Sequence, residues 1–242
     1  MINKEETILQ LEKLKLHGMV NMYKGVTALS AQQQPSAHEL IAQLAMAEQK
    51  HRIDKRMLMY LKLSKLRYDT ILENVYCNSQ RNLSKDQLIS MADCSFIERS
   101  ENVLITGSSG CGKSYLACAL GRQACYLGYR TLYWGMSRFT ETVKQTKLEG
   151  IFGKFLDQLN KNHLIIIDDF GLVPIDINIK TAILQILEDR YQKKSTIITS
   201  QLPWKKWYEY LNDKTMADAI MDRLSASANI IELDGPSLRP RK

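Results

Sequence analysis

The chain has 242 residues, of which 45% are hydrophobic and 24% are charged. This length and composition are typical of one large globular domain, or of a domain with a smaller appendage, and they exclude a mainly disordered chain. The 33 basic residues exceed the 26 acidic residues, so the net charge of +7 permits a polyanionic partner. No uncharged apolar run reaches the length of a membrane span, and the first residues lack the apolar region of a secretory signal. The sequence therefore predicts a cytoplasmic protein without a membrane partner.

The first part of the chain has a helical pattern. Apolar residues recur at near-helical spacing from Ile8 to Leu16, Gly18 interrupts them, and a second short helix is predicted from Met19 to Leu29. Ser36 and Glu39 form a capping-box pattern that opens a long helix, which either continues to Arg67 or breaks near His51. We expect a helical domain over residues 1–70 and a helical connector over residues 71–95.

From residue 96 the pattern alternates between strands and helices. Strands are predicted at 102–106, 130–134, 163–168, 195–200 and 228–233. Helices are predicted at 114–128, about 137–146 and 178–194, with helical pieces over 204–225. Five strands separated by helices indicate a parallel sheet with right-handed crossovers. The predicted fold class is therefore α/β over residues 96–242, preceded by a small all-helical domain. The tail SLRPRK is expected to be loose.

A glycine-rich loop follows the first strand and opens a helix. Residues 107–114 read GSSGCGKS, which fits the phosphate-binding pattern GxxxxGK[ST] in the strand–loop–helix context that it requires. Lys113 is expected to reach the β- and γ-phosphates of a nucleotide, and the Ser114 hydroxyl is expected to ligate Mg²⁺. With the next residue included, the predicted nucleotide-binding positions are Gly107, Ser108, Ser109, Gly110, Cys111, Gly112, Lys113, Ser114 and Tyr115.

Two carboxylates follow the apolar strand LIII. Asp168 and Asp169 would lie at the carboxyl end of that strand, where open α/β sheets bind their ligands. About 55 residues after a phosphate-binding loop, the pair indicates a hydrolytic site. Asp168 is predicted to hold Mg²⁺, and Asp169 is predicted to orient the attacking water.

Other polar residues are candidates for contact with the γ-phosphate. The fourth strand ends in Thr199-Ser200-Gln201, and either Ser200 or Gln201 could position the lytic water. Arg190 and Arg223 are candidates for an arginine that stabilises charge in the transition state. Composition alone does not favour either arginine, because arginines on helices are usually solvated ion-pair partners.

Residues 50–67 form a strongly basic run. Seven cations and one acid, Asp54, give this segment a charge of +6, most of the excess of the whole chain. Such a stripe suits contacts to the phosphate backbone of duplex DNA without base specificity, although a solvated helix face would have the same composition. The predicted DNA-binding residues are Lys50, Arg52, Lys55, Arg56, Lys62, Lys65 and Arg67.

Several segments together resemble the IstB family of transposition helper ATPases, which are encoded beside the transposase in bacterial insertion sequences. The similar segments are GSSGCGKS, LIIIDDFGL at 164–172, TSQLPWKKW at 199–207 and DAIMDRL at 218–224, and the likeness covers nearly the whole chain. The family lies within the AAA+ ATPases and is related to the DnaC helicase loaders. Members often read TSN where this chain reads TSQ.

The resemblance implies an N-terminal DNA-binding domain and an AAA+ domain that uses ATP and Mg²⁺. It also implies a homo-oligomer on duplex DNA, a cognate transposase as partner and association with the bacterial nucleoid. It places the sensor-one residue at Ser200 or Gln201 and the arginine finger at Arg223. A full C-terminal lid, with its sensor-two arginine, is not expected.

Two other functions compete with the transposition helper. A replicative helicase loader related to DnaC would act mainly as a binding adaptor, and it would carry an N-terminal segment for docking a helicase rather than a basic module. A nucleotide-gated structural protein would hardly hydrolyse ATP. A small-molecule kinase is disfavoured because no second substrate motif is visible in the sequence.

Overall fold

A computed structural model of the chain describes residues 3–239. The fold divides into two compact units, Met1–Met59 and Tyr60–Lys242. The smaller unit is helical, and its third helix continues into the larger unit. The helices are α1 (Lys4–Lys13), α2 (His17–Val26) and α3 (Ala37–Ser64), and a 3-10 turn at Ala31–Gln33 precedes α3.

Gly18 lies inside α2 and does not separate two helices. A Cβ atom built on Gly18 would lie 2.4 Å from the carbonyl oxygen of Ala47, so only glycine allows α2 to approach α3 this closely. The buried carboxylate of Glu48 accepts hydrogen bonds from the amides of Gly18 (2.8 Å) and Met19 (3.3 Å) at the start of α2. Gly18 therefore allows the two helices to pack closely, and the side chain of Glu48 caps the N-terminus of α2.

The long helix α3 runs without a break. The predicted capping box is present, since the Ser36 amide donates to Glu39 Oε2 (2.9 Å) and the Glu39 amide donates to Ser36 Oγ (3.4 Å). The helix passes His51 and ends at Ser64, because Lys65 adopts a left-handed conformation with φ of 54°. Of the two predicted courses, the unbroken one is the closer, and it ends three residues before Arg67.

The larger unit is built around a parallel sheet. Two short helices precede its first strand, and helices connect each strand to the next. The elements are α4 (Lys85–Ala92), α5 (Ser95–Glu98), β1 (Asn102–Gly107), α6 (Lys113–Tyr126), β2 (Thr131–Gly135), α7 (Met136–Leu148), α8 (Phe152–Asn160), β3 (Leu164–Phe170), α9 (Ile177–Arg190), β4 (Ser195–Ser200), α10 (Trp207–Leu211), α11 (Lys214–Ser225) and β5 (Ala228–Leu233). The strand order is β2-β3-β4-β1-β5, with every neighbouring pair parallel.

The sheet is buried on both faces. Ile165 and Ile167 of β3 belong to one apolar cluster, while Leu164 and Ile166 belong to the cluster on the opposite face. Successive residues of a strand point to opposite faces, so a continuous apolar run is what a sheet covered on both sides requires. The carboxyl ends of β1, β3 and β4 meet at one edge, where the polar residues of the candidate site lie.

The division of the chain differs from the predicted boundaries at residues 70 and 95. Leu66 packs against the core of the larger unit, and Leu72, Val75 and Leu83 are buried in the same cluster. Residues 60–95 therefore belong structurally to the larger unit, because their apolar side chains cover one face of its sheet. No helix in residues 3–239 is long and apolar enough to cross a membrane.

Candidate functional site

The phosphate-binding loop joins β1 to α6. Its first glycine, Gly107, has φ of 145°, and a Cβ atom there would lie 2.2 Å from the carbonyl oxygen of Leu233 on β5. Gly112 precedes the first residue of α6, so the loop ends at a helix N-terminus that favours anions. Lys113 is buried, and its ammonium donates to the carbonyl oxygens of Gly107 (2.9 Å) and Ser108 (2.8 Å). The loop therefore holds its lysine beside the amides that would face phosphates.

Two other segments contact this loop from outside. The buried guanidinium of Arg81 donates to the carbonyl oxygen of Cys111 (2.5 Å) and to that of Tyr76. The amide of Leu238 donates to the carbonyl oxygen of Gly110 (3.0 Å). The expectation of a loose tail is wrong for this residue, because the chain after β5 returns to the loop; residues 240–242 lie outside the described part.

Asp168 is the most thoroughly hydrogen-bonded group of the site. Its side chain is fully buried at the end of β3, and its Oδ1 accepts a hydrogen bond from Ser114 Oγ (2.8 Å) and another from the Thr199 hydroxyl. Its Oδ2 accepts from the Tyr133 hydroxyl (2.5 Å). Burial and the carboxylate of Asp168 raise the pKa of Tyr133, so this hydroxyl remains a donor. Three donors thus hold the carboxylate in one orientation.

Asp169 has a different setting. The pairing of β3 with β4 shifts register between Ile167 and Phe170, and Asp169 lies in this irregularity with φ of 63°. Its amide donates to Thr199 Oγ1 (3.1 Å), and its carboxylate is about 30% exposed in the cleft. A left-handed non-glycine residue costs free energy and is typical of functional sites. The irregularity turns Asp169 toward solvent while Asp168 remains buried.

Arg67, one of the predicted DNA-binding residues of the basic run, lies at the acidic pair. Its Nη1 is 3.2 Å from Asp169 Oδ2 and 3.6 Å from Asp168 Oδ2. The other six cations of the run are exposed: Lys50, Arg52, Lys55, Arg56, Lys62 and Lys65. Arg52 also pairs with Glu48 (2.7 Å).

The two candidates for a water-positioning residue differ in their surroundings. The Ser200 side chain is buried, donates to the carbonyl oxygen of Phe170 (2.6 Å) and accepts from the amide of Leu202 (3.0 Å). Gln201 lines the cleft together with the phosphate-binding loop. The hydroxyl of Ser200 therefore has two local partners, and Gln201 is the better candidate of the two. Thr199, which was not among the predicted site residues, contacts both acidic residues.

The two candidate arginines also differ in burial and in their hydrogen-bond partners. Arg190 is buried, and its guanidinium donates to the carbonyl oxygens of Asn162 (3.1 Å), His163 (3.0 Å) and Ser195 (2.5 Å). Desolvation lowers its pKa to about 9. Arg223 on α11 is partly exposed and pairs with Glu188 (2.8 Å) and with its neighbour Asp222. The guanidinium of Arg190 is thus fully used in hydrogen bonds to carbonyls at the starts of β3 and β4. Arg223 is not among the residues that line the cleft.

The cleft has a volume of about 420 Å³, which suits a small-molecule ligand. Its polar floor contains Lys113, Ser114 and Asp169, and its walls include Tyr115 and aromatic residues from the segment before β1. The rings of Tyr115 and Tyr68 are 6.0 Å apart. The predicted phosphate-binding residues are therefore at the floor of a cleft with aromatic walls.

The donor set beside the loop fits Mg²⁺. The Ser114 hydroxyl and the Asp168 carboxylate are hard oxygen ligands in mutual contact. Within residues 3–239, no three His, Cys, Asp or Glu side chains form a metal-binding cluster. Ser114 and Asp168 are the residues that would hold a magnesium ion beside the phosphates of a nucleotide.

Comparison with known proteins identifies the family that this chain resembles over most of its length. The model of the family described as IstB-like ATP binding protein matches residues 9–242. An insertion sequence ATP-binding protein of Sinorhizobium fredii is 37% identical over 232 residues, which cover 95% of each chain. The IS1162 ATP-binding protein of Pseudomonas fluorescens is 36% identical over 200 residues, which cover 82% of this chain and 87% of its own.

Solved structures resemble the larger part of the fold. The crystal structure of DnaI superposes with a TM-score of 0.58 at 20% identity, over 68% of this chain and 91% of its own. The DnaC helicase loader superposes with a TM-score of 0.56 at 18% identity, over 70% of this chain and 99% of its own. At these identities the likeness concerns the fold. Together with the observed five-stranded parallel sheet, it confirms the predicted α/β fold.

Proposed function

The chain belongs to the IstB-like ATP binding protein family, and from this premise we propose that it is an ATP-driven helper of an insertion-sequence transposase. The observation that carries the proposal is the contact of Ser114 with Asp168, which joins the phosphate-binding loop to the acidic pair. This is the arrangement that a P-loop ATPase needs, because one element holds the phosphates and the other serves the metal and the water. The names of the relatives tie this ATPase to insertion sequences.

In the proposed reaction, water attacks the γ-phosphorus of ATP, the bond to the β–γ bridging oxygen breaks, and ADP and phosphate leave. Lys113 and the loop amides neutralise the phosphate charge, while Asp169 orients the attacking water with help from Gln201. Ser114 and Asp168 are the residues that would hold Mg²⁺, which would supply positive charge beside the phosphates. Thr199 and Tyr133 keep Asp168 in the orientation that this ligation needs.

The partner of this ATPase is proposed to be duplex DNA, bound without sequence specificity. The support is the charge of α3 and of the residues just after it, where all seven cations of the run are exposed and six of them lie away from the acidic pair. Phosphate contacts of this kind position a protein without reading bases. Binding to target DNA would place the protein at the bacterial nucleoid, with the transposase as its second partner.

Assembly of several copies on the DNA completes the proposal. Arg223 lies outside the cleft of its own chain, which supports its action as a finger on the nucleotide of a neighbouring subunit. A positive charge delivered in this way stabilises the transition state only after assembly. Hydrolysis would therefore be coupled to the oligomer that forms on DNA.

Imaging of the full chain on duplex DNA, with ATP and separately with ADP, tests this function. Ordered oligomers around DNA that need ATP, and that bind the transposase encoded in the same element, are the expected result. A complex with a replicative helicase hexamer, without assembly on duplex DNA, would instead identify a helicase loader. A DNA complex that forms equally with ADP would indicate a structural protein that does not use hydrolysis.

A further inference from the structure

The ion pair between Arg67 and the acidic residues differs from an ordinary surface salt bridge. Nη1 of Arg67 is 3.6 Å from Oδ2 of Asp168, a carboxylate with no exposed surface, and 3.2 Å from Oδ2 of Asp169. Exposed ion pairs contribute little because water competes for both partners. Here Asp168 is buried among hydroxyl donors, so water screens its charge less. The electrostatic attraction between Asp168 and Arg67 is therefore stronger than in an exposed pair.

The backbone around Arg67 is fixed against the helix that follows the phosphate-binding loop. Leu66 packs against Gly121 of α6, where a Cβ atom would lie 2.9 Å from Leu66 Cδ2. Asp69 pairs with Arg122 of the same helix, and Thr70 is buried. This anchoring aims the side chain of Arg67 at the acidic pair, while its side chain remains 46% exposed and so has space to change partner.

The guanidinium and a magnesium ion need the same carboxylate charge. Asp168 is the residue that would serve Mg²⁺ together with Ser114, and Arg67 already lies within 3.6 Å of it. Two cations on one carboxylate repel each other strongly in a partly buried site. Ser114 contacts Oδ1 of Asp168 whereas Arg67 faces Oδ2, so the two cations would compete for the charge of one carboxylate rather than for one oxygen atom.

On the basis of the proposed function, we propose that Arg67 is a built-in counter-ion of Asp168 and Asp169 that Mg²⁺ must displace when the nucleotide binds. The contact is autoinhibitory, since it raises the Mg²⁺ concentration at which the site takes up its metal–nucleotide complex. Arg67 acts through the two acidic residues and is a positioning residue. This role separates it from the other six cations of the basic run.

A different role for Arg67 makes the opposite prediction. If its guanidinium bound the γ-phosphate directly, its removal would weaken nucleotide binding at every Mg²⁺ concentration. If it acts as a counter-ion that competes with Mg²⁺, its removal strengthens Mg²⁺-dependent binding. The sign of the change therefore decides between the two roles.

The experiment is a Mg²⁺ titration of the full-length chain with a fluorescent, non-hydrolysable ATP analogue held at fixed concentration. For Arg67→Gln we expect the midpoint Mg²⁺ concentration to fall about tenfold, the effect of about one charge-assisted hydrogen bond. Arg67→Lys keeps the charge but loses the planar fork, so its midpoint should fall by a smaller factor. The control is Lys161→Gln, which removes an exposed cation at the end of α8 and should leave the midpoint unchanged.

The outcomes are distinguishable from a failure of the proposed function. A midpoint for Arg67→Gln that equals that of the wild type, or exceeds it, overturns the counter-ion role. Absence of saturable nucleotide binding by the wild type at any Mg²⁺ concentration would instead overturn the ATPase assignment. Thermal unfolding of each variant establishes that the comparison is made between folded proteins.

Discussion

The nucleotide cleft and the basic helix α3 both depend on charged side chains, but these side chains differ in burial and in hydrogen bonding. Beneath the cleft, Asp168 is buried and has three hydroxyl donors within hydrogen-bonding distance. On α3 the cations are exposed, and Arg52 is held only by a pair with Glu48. The proposed catalytic role of the cleft is therefore supported by specific contacts, whereas the proposed DNA-binding role of α3 is supported by its charge density.

The two regions meet in sequence at Arg67. It is the last cation of the basic run, yet its guanidinium lies on the acidic pair while its side chain remains 46% exposed. Proximity in sequence to six exposed cations thus gave no information about its contacts. In a run of like charges, the role of each residue therefore depends on what its own side chain contacts.

The largest expected effect is in the cleft. Lys113→Ala removes the ammonium that is fixed beside the loop carbonyls, and we expect it to abolish ATP binding and, with it, assembly on DNA. Equilibrium titration with a fluorescent ATP analogue measures this, and Lys161→Ala serves as a control for loss of one positive charge. Unchanged nucleotide affinity in Lys113→Ala would refute the assignment of the loop.

Arg223→Ala is expected to lower the rate of hydrolysis by about 10³–10⁵-fold while ATP binding is retained, as for fingers supplied by a neighbouring subunit. Mixing this variant with Asp169→Asn should restore part of the activity, because some interfaces then combine an intact Asp169 with an intact Arg223. Steady-state phosphate release from the mixture, compared with each variant alone, measures the effect. If the two variants assemble together and no activity returns, Arg223 does not act between subunits.

Asp169→Asn is expected to lower turnover about 10²–10⁴-fold with little change in ATP affinity, because the carboxylate acts on the water in the transition state. Asparagine tolerates the left-handed backbone at this position, so the substitution should leave the local structure intact. Single-turnover hydrolysis and nucleotide titration measure the two quantities separately. Turnover near the wild-type rate would mean that another group orients the water.

Much of the fold followed from local sequence patterns. The loop GSSGCGKS, the strand LIII and the capping box at Ser36 depend on neighbouring residues, and their spacing predicted them. Helix α8 was missed, although Phe152, Phe155, Leu156 and Leu159 have the spacing of a helical face.

The rest of the site depends on contacts that spacing does not encode. Thr199 reaches both acidic residues because β3 and β4 change register at Asp169. Every residue of β4 is buried, so β4 has no alternation of polar and apolar residues that would show which side chain faces Asp168 and Asp169. Tyr133 lies on another strand, and its contact with Asp168 depends on strand order.

On the basic helix the expected effects are smaller and graded. Neutralising Lys50, Arg52, Lys55 and Arg56 together should weaken DNA binding and spare nucleotide binding. The slope of log affinity against log salt concentration should fall by roughly one unit for each lost phosphate contact. Fluorescence anisotropy with a labelled duplex at several salt concentrations measures the slope. If the slope does not change, this part of α3 is a solvated surface.

The smallest expected effect is a difference in salt dependence between substitutions at two positions of the same helix. With 3.6 residues per turn, Arg52, Lys55 and Arg56 project from one side of α3, whereas Lys50 projects from another. A straight helix lying on duplex DNA offers one side to the phosphates. Arg56→Gln should therefore lower the salt slope by about one unit, while Lys50→Gln should leave it nearly unchanged. The two variants remove the same charge from exposed positions, so each is the control for the other. Equal losses of slope would mean that DNA contacts both sides of the helix, and charge density alone would then describe this surface better than helix geometry does.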